Sequence, residues 1–388
     1  MPVKNRFAEM QDEISSWRHD LHENPEILFE THRTAAFVAE KLAQFGCDEI
    51  VTGIGRTGVV ATIKGRESGS GKVIALRADM DALPIHETTG LDYASKTPGA
   101  MHACGHDGHT AMLLGAAKYL SETRNFDGTV VFIFQPAEEG GGGGKEMCDD
   151  GMMDRWGIQE VYGMHNWPGL ALGQFAIRPG SFFAAADQLD ITITGRGAHA
   201  AKPHEGVDPT VVASQIVLAL QTVASRNADP GGQIVVSITS FETSSNAYNV
   251  IPSSVHLKGT VRTMDKEVQT MAVKRISEIC ENTAAAFGAT AIVDYHYGYP
   301  VMSNHEDQTE FAAKVATQVM GSCDEAAMIM AGEDFAYMLE ERPGAYILVG
   351  NGDSAPVHHP DYNFNDEAIP SGCSWWAGLV ETSMPLQG

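Results

Sequence analysis

The sequence is short of basic side chains, with 26 lysines and arginines against 50 aspartates and glutamates in 388 residues. The resulting net charge of −24 repels phosphate backbones and anionic membrane surfaces, so we expect neither nucleic acid nor a membrane as a partner. No apolar run approaches the ~18–20 residues of a membrane span. The first residues also lack the apolar core of a signal peptide, which favours a cytoplasmic location.

Cysteine is sparse as well and shows no paired spacing. The six cysteines are Cys47, Cys104, Cys148, Cys280, Cys323 and Cys373. This scatter is typical of reduced thiols and excludes a small disulfide-linked scaffold. Hydrophobic residues make up 43% and charged residues 20% of the chain, as in globular proteins that bury a sizeable core. The length favours two domains or one large domain with an insertion.

The order of predicted elements is typical of an α/β sheet with helices on its faces. Apolar residues at helical spacing predict helices over Phe7–Leu21 and Thr31–Phe45, the second ending at Gly46. Apolar runs and Ala/Leu-rich stretches then predict the strands Gly58–Ile63, Val73–Leu76 and Val130–Phe134, the helix Gly108–Leu120 and a short strand at Glu160–Gly163.

The pattern changes near Asp187, where apolar and polar residues alternate as in strands with one solvated face. Two amphipathic stretches, Pro209–Ser225 and Lys266–Phe287, lie among these strands. The α/β pattern returns after Pro300. We therefore predict a discontinuous main domain of residues 1–183 and 297–388 around a smaller α+β domain of residues 184–296.

The densest group of metal-coordinating side chains is the stretch His102-Ala-Cys104-Gly-His106-Asp107-Gly-His109, which Asp79 and Asp81 precede. A thiolate and an imidazole two residues apart can face one metal ion where the backbone between them is extended. Gly105 permits that geometry. Taken individually, His102 and His109 favour a structural or supporting role over metal binding.

Two adjacent carboxylates, Glu138 and Glu139, follow the predicted strand Val130–Phe134, at the end where α/β sheets place their sites. One can bind a metal ion while its neighbour acts as a base on a metal-activated water. An isolated Glu-Glu pair is equally typical of a solvated acidic turn. His165 and His358, in predicted loops, complete the ligand supply of a two-metal hydrolytic site. In the inserted domain, spacing alone favours a structural role for three further candidates: His199, Asn249 and Arg262.

In this order, the motifs resemble those of the dinuclear-metal amidohydrolase and exopeptidase superfamily that contains aminoacylases and carboxypeptidase G. Within it, the chain most resembles the branch of hippurate hydrolases and indole-acetyl-amino-acid hydrolases. The matching stretches are WRHDLHENPE (17–26), LRADMDALP (76–84), MHACGHDGH (101–109), QPAEEG (135–140), GMHN (163–166), GAHA (197–200), NVIP (249–252), GEDF (332–335) and HHP (358–360).

The resemblance implies an α/β fold with a mixed-sheet, metallopeptidase-like catalytic domain, interrupted by a smaller α+β lid and dimerisation domain. It implies a homodimer or higher homo-oligomer assembled through the lid. It also implies two divalent metal ions per subunit, with zinc, manganese, cobalt and nickel as the candidate metals. The ligands carried over by the resemblance are Cys104 as the bridge, His106 with His165, and Glu139 with His358; which pair serves which ion stays open.

The resemblance further implies roles for residues around the metals. Glu138 is expected to be the general base, and Asp81 to orient a ligand or that base. His199 is expected to stabilise the oxyanion from the lid, in its own or the partner subunit. Asn249 and Arg262 are expected to hold the substrate carboxylate.

We therefore expect a metal-dependent amidohydrolase that cleaves N-acyl amino acids, hippurate-like or N-acetylated, to a carboxylic acid and a free amino acid. Alternatives within the superfamily are a dipeptidase or exopeptidase and a diamino-acid deacetylase. Outside it, the alternatives are an inactive binding homologue and a metal-independent hydrolase with Cys104 as nucleophile. The last would leave Glu139, His165 and His358 unexplained.

Overall fold

The computed structural model describes residues 4–386. Residues 1–3 and 387–388, the two termini of the predicted main domain, lie outside the described residues. The helices are α1 (Asn5–Glu23), α2 (His32–Phe45), α3 (His106–Thr123), α4 (Gly143–Asp149), α5 (Met152–Arg155), α6 (Pro209–Thr222), α7 (Lys266–Ala286), α8 (Glu306–Met320), α9 (Phe335–Glu341) and α10 (Ile369–Ser383). Within residues 4–386, no helix is both long enough and apolar enough to span a bilayer.

The strands alternate with these helices along most of the chain. They are β1 (Glu49–Ile54), β2 (Gly58–Lys64), β3 (Val73–Asp79), β4 (Thr129–Gln135), β5 (Glu160–Pro168), β6 (Phe175–Ile177), β7 (Gly180–Phe183), β8 (Ala185–Thr194), β9 (Ala198–His199), β10 (Ile234–Thr243), β11 (Val250–Ile251), β12 (Ser254–Thr263), β13 (Thr290–Tyr299), β14 (Met302–Asn304), β15 (Asp324–Glu325) and β16 (Gly344–Gly352).

Local sequence explains where several helices begin and end. The side chains of Asp208 and Asp265 accept hydrogen bonds from the first backbone N–H groups of α6 and α7, which caps these helices. Helix α2 ends where Gly46 adopts a φ of +77°, a left-handed conformation that glycine reaches without strain. In α1, the apolar side chains recur at helical spacing and are buried, as their periodicity predicts.

The described chain divides into two compact units. The first comprises Met1–Gly180, Ser303–Ala327 and Asp334–Gly388, and the second comprises Ser181–Met302 and Met328–Glu333. The short segment Met328–Glu333 thus lies in the second unit, although the sequence analysis placed it in the main domain. The assignment of the units as catalytic and lid domains stays a prediction at this point.

A large mixed sheet forms the centre of the first unit. Among the described residues its strand order is β1-β2-β4-β3-β5-β16-β6-β15. The four central strands β4, β3, β5 and β16 run parallel, and antiparallel pairs flank them at β2 and β6. This is the mixed α/β fold that the sequence predicted. Parallel strands need long crossover connections, and α3 supplies one of them between β3 and β4.

Helix α3 packs in the middle of the first unit, with its side chains buried almost continuously from His106 to Ala117. It contacts α1, α10 and β3. The small residue Gly115 allows this close packing, since a Cβ there would lie 2.6 Å from Ile14 of α1. The beginning of α3, which carries the Cys104–His109 motif, is therefore held inside the core rather than at the surface.

The second unit is a four-stranded antiparallel sheet of order β10-β12-β8-β13. Helices α6 and α7 cover one face, where Leu189, Ile191 and Ile193 meet the apolar sides of both helices. A separate two-stranded pair, β9 and β11, sets His199 opposite Val250. This is the α+β arrangement that the alternating pattern predicted.

The structure corrects the predicted surroundings of His165. The sequence analysis ended the strand at Gly163 and placed His165 in a loop, but β5 continues to Pro168. His165 pairs with Leu348 of the parallel strand β16. The strand is longer because its partner provides hydrogen bonds beyond Gly163, which local sequence does not reveal.

Two isoleucines of the second unit test the assignment of its buried face. Ile191 of β8 is fully buried, whereas Ile292 on the neighbouring strand β13 is 62% exposed. We expect Ile191→Ala to lower the free energy of unfolding by about 2–5 kcal/mol, because it leaves a cavity. The matched change Ile292→Ala should cost no more than about 1 kcal/mol. Urea unfolding followed by circular dichroism measures both; equal losses would contradict the assignment.

Candidate metal centre

The parallel strands β3, β4, β5 and β16 end at one edge of the large sheet, where α/β folds place their sites. The segments that form or follow these ends carry every candidate residue of the first unit. They are Asp81, Cys104, His106, Glu138, Glu139, His165 and His358. Stretches that lie far apart in sequence therefore meet at this edge.

Cys104, His106 and His165 form a buried group whose ligand atoms all lie within 4.8 Å of one another. The Sγ of Cys104 lies 3.3 Å from Nε2 of His165. Nδ1 of His165 donates to the carbonyl oxygen of Asn166 at 2.5 Å, so Nε2 is the ring nitrogen with a free lone pair in the neutral imidazole. The geometry thus presents a sulfur and an unprotonated nitrogen to the same point.

Glu139 and His358 form a second group with Cys104, within the same 4.8 Å limit. Nε2 of His358 lies 3.2 Å from Oε1 of Glu139. The backbone N–H of His358 donates to the carbonyl oxygen of Ala103 at 2.7 Å, and its φ is +65°. A left-handed histidine is uncommon and marks a backbone held by its surroundings. Cys104 is shared by both groups.

The carboxylate of Asp81 holds the turn that carries the two glutamates. Its Oδ1 accepts from the backbone N–H of Glu138 at 2.9 Å, and its Oδ2 accepts from that of Glu139 at 3.1 Å. The turn is tight further along, since a Cβ at Gly143 would lie 1.7 Å from the carbonyl oxygen of Pro136. Asp81 therefore fixes Glu138 and Glu139 through their backbone.

Carboxylates dominate the electrostatics of the group. Burial lowers the pKa of His106, but Asp79, Asp81 and Glu139 outweigh this effect and raise it to about 10. Burial raises the pKa of the Cys104 thiol well above its usual range, and the negative charge of Glu139 adds to the effect. Burial also raises the pKa of Asp81. Surroundings that stabilise an imidazolium in this way also stabilise a cation.

The donor set fits a metal ion by a second, independent observation. Within the described residues, neither ring nitrogen of the buried His106 makes a hydrogen bond of good geometry; Nδ1 lies 3.5 Å from Asp81 and Nε2 lies 3.7 Å from Asp79. Buried polar atoms without partners are rare, because leaving them unpaired costs free energy. Sulfur, imidazole and carboxylate donors together suit zinc and other divalent transition metals. The residues present therefore fit the metal ions that the motifs imply.

A buried chain of contacts lies behind these residues and links Asp79 to Cys104. Nδ1 of His109 donates to Oδ1 of Asp79 at 2.6 Å, and its Nε2 accepts from the backbone N–H of Asn166 at 2.9 Å. The side-chain amide of Asn166 donates to the carbonyl oxygen of Cys104 at 2.7 Å. At Gly105, where φ is +93°, a Cβ would lie 2.4 Å from this amide. His109 thus has the supporting position that the sequence analysis favoured.

Asn166 was not singled out from the sequence. Its signal is only its place next to His165, in the stretch GMHN. Its role depends on the approach of β5 to the beginning of α3, which periodicity and spacing do not report. Arg77, Gln135 and Asp334, which lie in matching motifs, were likewise assigned no role.

The motif at residues 17–26 supplies buried charges beside α3. The Arg18 guanidinium donates to Asp366 at 2.7 and 3.2 Å and to Asp107 at 3.4 Å. Nδ1 of His22 lies 2.8 Å from Asp107, and its Nε2 lies 3.3 Å from Glu87. Burial lowers the pKa of His22, but Asp107 and Glu87 raise it to about 9. These contacts hold Asp107, the neighbour of His106, in place.

Two of the predicted substrate contacts lie together in the second unit. His199 and Asn249 line a shallow cavity of about 430 Å³, with Ser244, Ser245 and Ser253 also in its wall. Nδ1 of His199 accepts from the backbone N–H of Ala201 at 3.1 Å, so the neutral ring carries its proton on Nε2. The cavity is thus lined by groups that donate hydrogen bonds.

Arg262, the third predicted contact, is not part of the lining of this cavity. Its half-buried guanidinium donates to Thr260 and to the carbonyl oxygen of Val261 at 3.2 Å. Burial lowers its pKa. The structure therefore brings His199 and Asn249 together and leaves Arg262 elsewhere on the unit.

Residues 75–382 match the model of Peptidase family M20/M25/M40. The chain belongs to this family. Among its relatives, the hippurate hydrolase of Campylobacter jejuni is 40% identical over 377 residues, which cover 96% of this M20 chain and 97% of that protein. The N-acetyl-L-cysteine deacetylase of Bacillus subtilis is 42% identical over 364 residues, covering 94% and 86% respectively.

The fold of this M20 chain has solved counterparts. A Bacillus subtilis structure described as a dinuclear metal binding peptidase from the M20 family superposes with a TM-score of 0.84 at 34% identity, covering 97% of this chain and 99% of that one. The resemblance drawn from the motifs, and the metallopeptidase-like mixed α/β fold that it implied, are thereby confirmed. The roles of individual residues stay predictions.

His22 gives a prediction for the pH dependence of stability. A histidine whose pKa rises from 6.5 to about 9 on folding contributes stability that is fully present below pH 6.5 and is lost as the pH rises through 9. We expect His22→Gln to remove this contribution, at most about 3 kcal/mol. Calorimetric melting from about pH 6 to about pH 10 should show a shallower decline for the variant than for the wild type.

The matched control for this experiment is His32→Gln, because the His32 side chain is 72% exposed. Its Tm should follow the wild-type pH dependence. If the Tm of both His22→Gln and His32→Gln declined with pH at the same slope as that of the wild type, His22 would not be the source of the pH dependence.

Proposed function

We propose that this chain is a metal-dependent amidohydrolase that cleaves N-acyl amino acids to a carboxylic acid and a free amino acid. Hippurate-like and N-acetylated amino acids are the proposed substrates. The observation that carries the proposal is the buried group of sulfur, imidazole and carboxylate donors beside a fixed pair of glutamates. The near full-length similarity to a hippurate hydrolase and an N-acetyl-L-cysteine deacetylase supports this substrate class.

Two divalent metal ions are proposed as cofactors. Cys104 would be shared between them, because it belongs to both ligand groups, with His106 and His165 on one side and Glu139 and His358 on the other. When bound, a pair of such ions acidifies water and polarises the scissile carbonyl. Thiolate favours zinc, whereas imidazole and carboxylate also accept manganese, cobalt or nickel.

Glu138 is the proposed general base. It is 7% exposed and sits beside a proposed ligand, with its backbone fixed by Asp81. A carboxylate in this position takes a proton from the attacking water and passes it to the leaving nitrogen, which must be protonated to depart. Asp81 orients the turn and is not itself required to exchange a proton.

His199 and Asn249 are the proposed contacts for the substrate. His199 would donate a hydrogen bond to the oxyanion and Asn249 would donate one to the substrate carboxylate, and their shared cavity supports this pairing. Arg262 remains proposed as the cation for the substrate carboxylate.

We further propose a homodimer or higher homo-oligomer formed through the second unit. A cytoplasmic location is proposed because the cysteines at all six positions are free thiols, which suits a reducing compartment.

A dipeptidase, an exopeptidase or a diamino-acid deacetylase would use the same metal groups and differ in the acyl pocket. An inactive binding homologue would not need both a complete ligand set and a base. A nucleophilic role of Cys104 is disfavoured because it would leave Glu139, His165 and His358, which lie around the same sulfur, without a function.

Replacing the proposed base tests the proposal directly. We expect Glu138→Gln to reduce hydrolysis of hippurate and N-acetyl amino acids by about 10²- to 10⁴-fold, because proton transfer is lost. Its metal content should match that of the wild type. Glu146→Gln, which changes an exposed pair with Arg56, is the matched control and should keep full activity. An active Glu138→Gln enzyme would exclude Glu138 as the base.

Removal of the metals tests the cofactor. We expect dialysis of the full chain against a chelator to abolish hydrolysis, and added zinc, manganese, cobalt or nickel to restore it with two ions bound per chain. The ion that restores the highest activity identifies the preferred metal. A chelated chain that contains no metal and still hydrolyses hippurate would refute the metal mechanism and favour Cys104.

A further inference from the structure

The guanidinium of Arg77 lies at the centre of a buried hydrogen-bond network beside the candidate metal centre. Arg77 is on β3 and is fully buried. Nη1 donates to Oδ2 of Asp79 at 2.7 Å, Nη2 donates to Oδ1 of Asp334 at 3.0 Å, and Nε donates to Oε1 of Gln135 at 2.9 Å. Since the guanidinium is planar and rigid, it fixes these three acceptors relative to one another.

One branch of the network leads from Arg77 to the neighbour of His165. Asp79 accepts from Arg77 on one oxygen and from His109 on the other. His109 in turn accepts from the backbone N–H of Asn166 at 2.9 Å, which is the residue that follows His165. Each contact satisfies a buried polar atom, so a displacement of Asp79 is passed to the strand that carries His165.

The other branch leads to the turn with the two glutamates. The Nε2 of Gln135 donates to both oxygens of Asp334 at 2.8 Å, and the backbone N–H of Gly144 donates to Oδ2 at 2.8 Å. A Cβ at Gly144 would lie 2.9 Å from the carbonyl oxygen of Asp334. Gln135 precedes the Glu138-Glu139 pair and Gly144 follows it, so Asp334 ties down both ends of the turn.

The network depends on Arg77 because its guanidinium balances the charge of two buried carboxylates, those of Asp79 and Asp334. Asp79 is surrounded by cationic and donor groups: Arg77 and His109 donate to its two oxygens, and Nε2 of His106 lies 3.7 Å from Oδ2. Asp79 and Asp334 are both fully buried. A buried carboxylate that loses its partner cation is strongly destabilised, so both branches must respond when the guanidinium is replaced.

We propose that Arg77 is a positioning residue that couples the two halves of the metal centre, the Glu138-Glu139 turn and the strand carrying His165. This inference rests on the proposed function, because it takes Glu139 and His165 as ligands. Arg77 touches neither of these side chains in the contacts above. It acts through Asp79 and His109 on one side and through Gln135 and Asp334 on the other.

The test compares cobalt binding by the full chain before and after the change Arg77→Lys. Lysine keeps the positive charge but cannot present three donors in one plane. The metal-depleted proteins are titrated with Co²⁺, and the absorption spectrum reports affinity and coordination for each ion. The melting temperature without metal is measured in parallel, because a purely structural role would lower it and leave the cobalt affinities unchanged.

Arg342→Lys is the matched control. Arg342 donates to the carbonyl oxygen of Ile158 at 2.7 Å and pairs with Asp154, near the beginning of β5 and away from the ligands. Supporting groups around a metal typically change its affinity by about 10- to 100-fold. We expect Arg77→Lys to lower the affinity for both cobalt ions by at least about 10-fold and to alter the absorption spectrum. Arg342→Lys should bind cobalt as the wild type does.

Asp334→Asn is the second variant, for the case that Arg77→Lys does not fold. The carboxylate accepts from Arg77, Gln135 and Gly144, and an asparagine must turn a donor toward at least one of them. It should weaken cobalt binding while the chain stays folded. Wild-type affinity in a folded Arg77→Lys or Asp334→Asn protein overturns the positioning role, and so does weakening of only one ion in Arg77→Lys.

Failure of the proposed function gives a different result. In that case the wild type itself binds no cobalt and does not hydrolyse hippurate. If the wild type binds two ions and is active, while Arg77→Lys binds both ions equally well, only the coupling by Arg77 is refuted.

Discussion

The compensation of buried charge is the constraint on which the first unit depends. Arg77, Asp79 and Asp334 are all fully buried, and each ion removed from water costs several kcal/mol unless partners replace the solvent. These partners come from β3, from the end of β4 and from the segment before α9. The charges are therefore satisfied only when these three parts of the chain are in their native positions, which also fixes the segments that carry the candidate ligands.

The parallel sheet makes such an arrangement possible. Its central strands deliver their carboxyl ends to one edge, so short segments after β3, β4 and β16 meet the beginning of α3. The result is a buried group of sulfur, imidazole and carboxylate donors in which His106 is surrounded by acidic side chains. This chemistry agrees with the membership in the M20 family and with amide hydrolysis.

The second unit contributes a different kind of surface. Its sheet is covered by helices on one face, and the β9–β11 pair holds His199 next to Asn249 at a cavity lined by serines. The buried group of metal-coordinating donors and the hydrogen-bonding cavity thus belong to separate units of the chain.

The sequence by itself determined the family, the α/β class and the residues with coordinating chemistry, because these depend on local motifs and on the spacing of apolar side chains. It also predicted α1, α3 and β4 closely, since their burial follows from periodicity. Only the tertiary structure decided that His165 lies within a strand and that Met328–Glu333 joins the second unit. It alone showed that Arg77 holds Gln135 and Asp334, which lie 58 and 257 positions away. Such contacts depend on which strands become neighbours, and no local pattern encodes that choice.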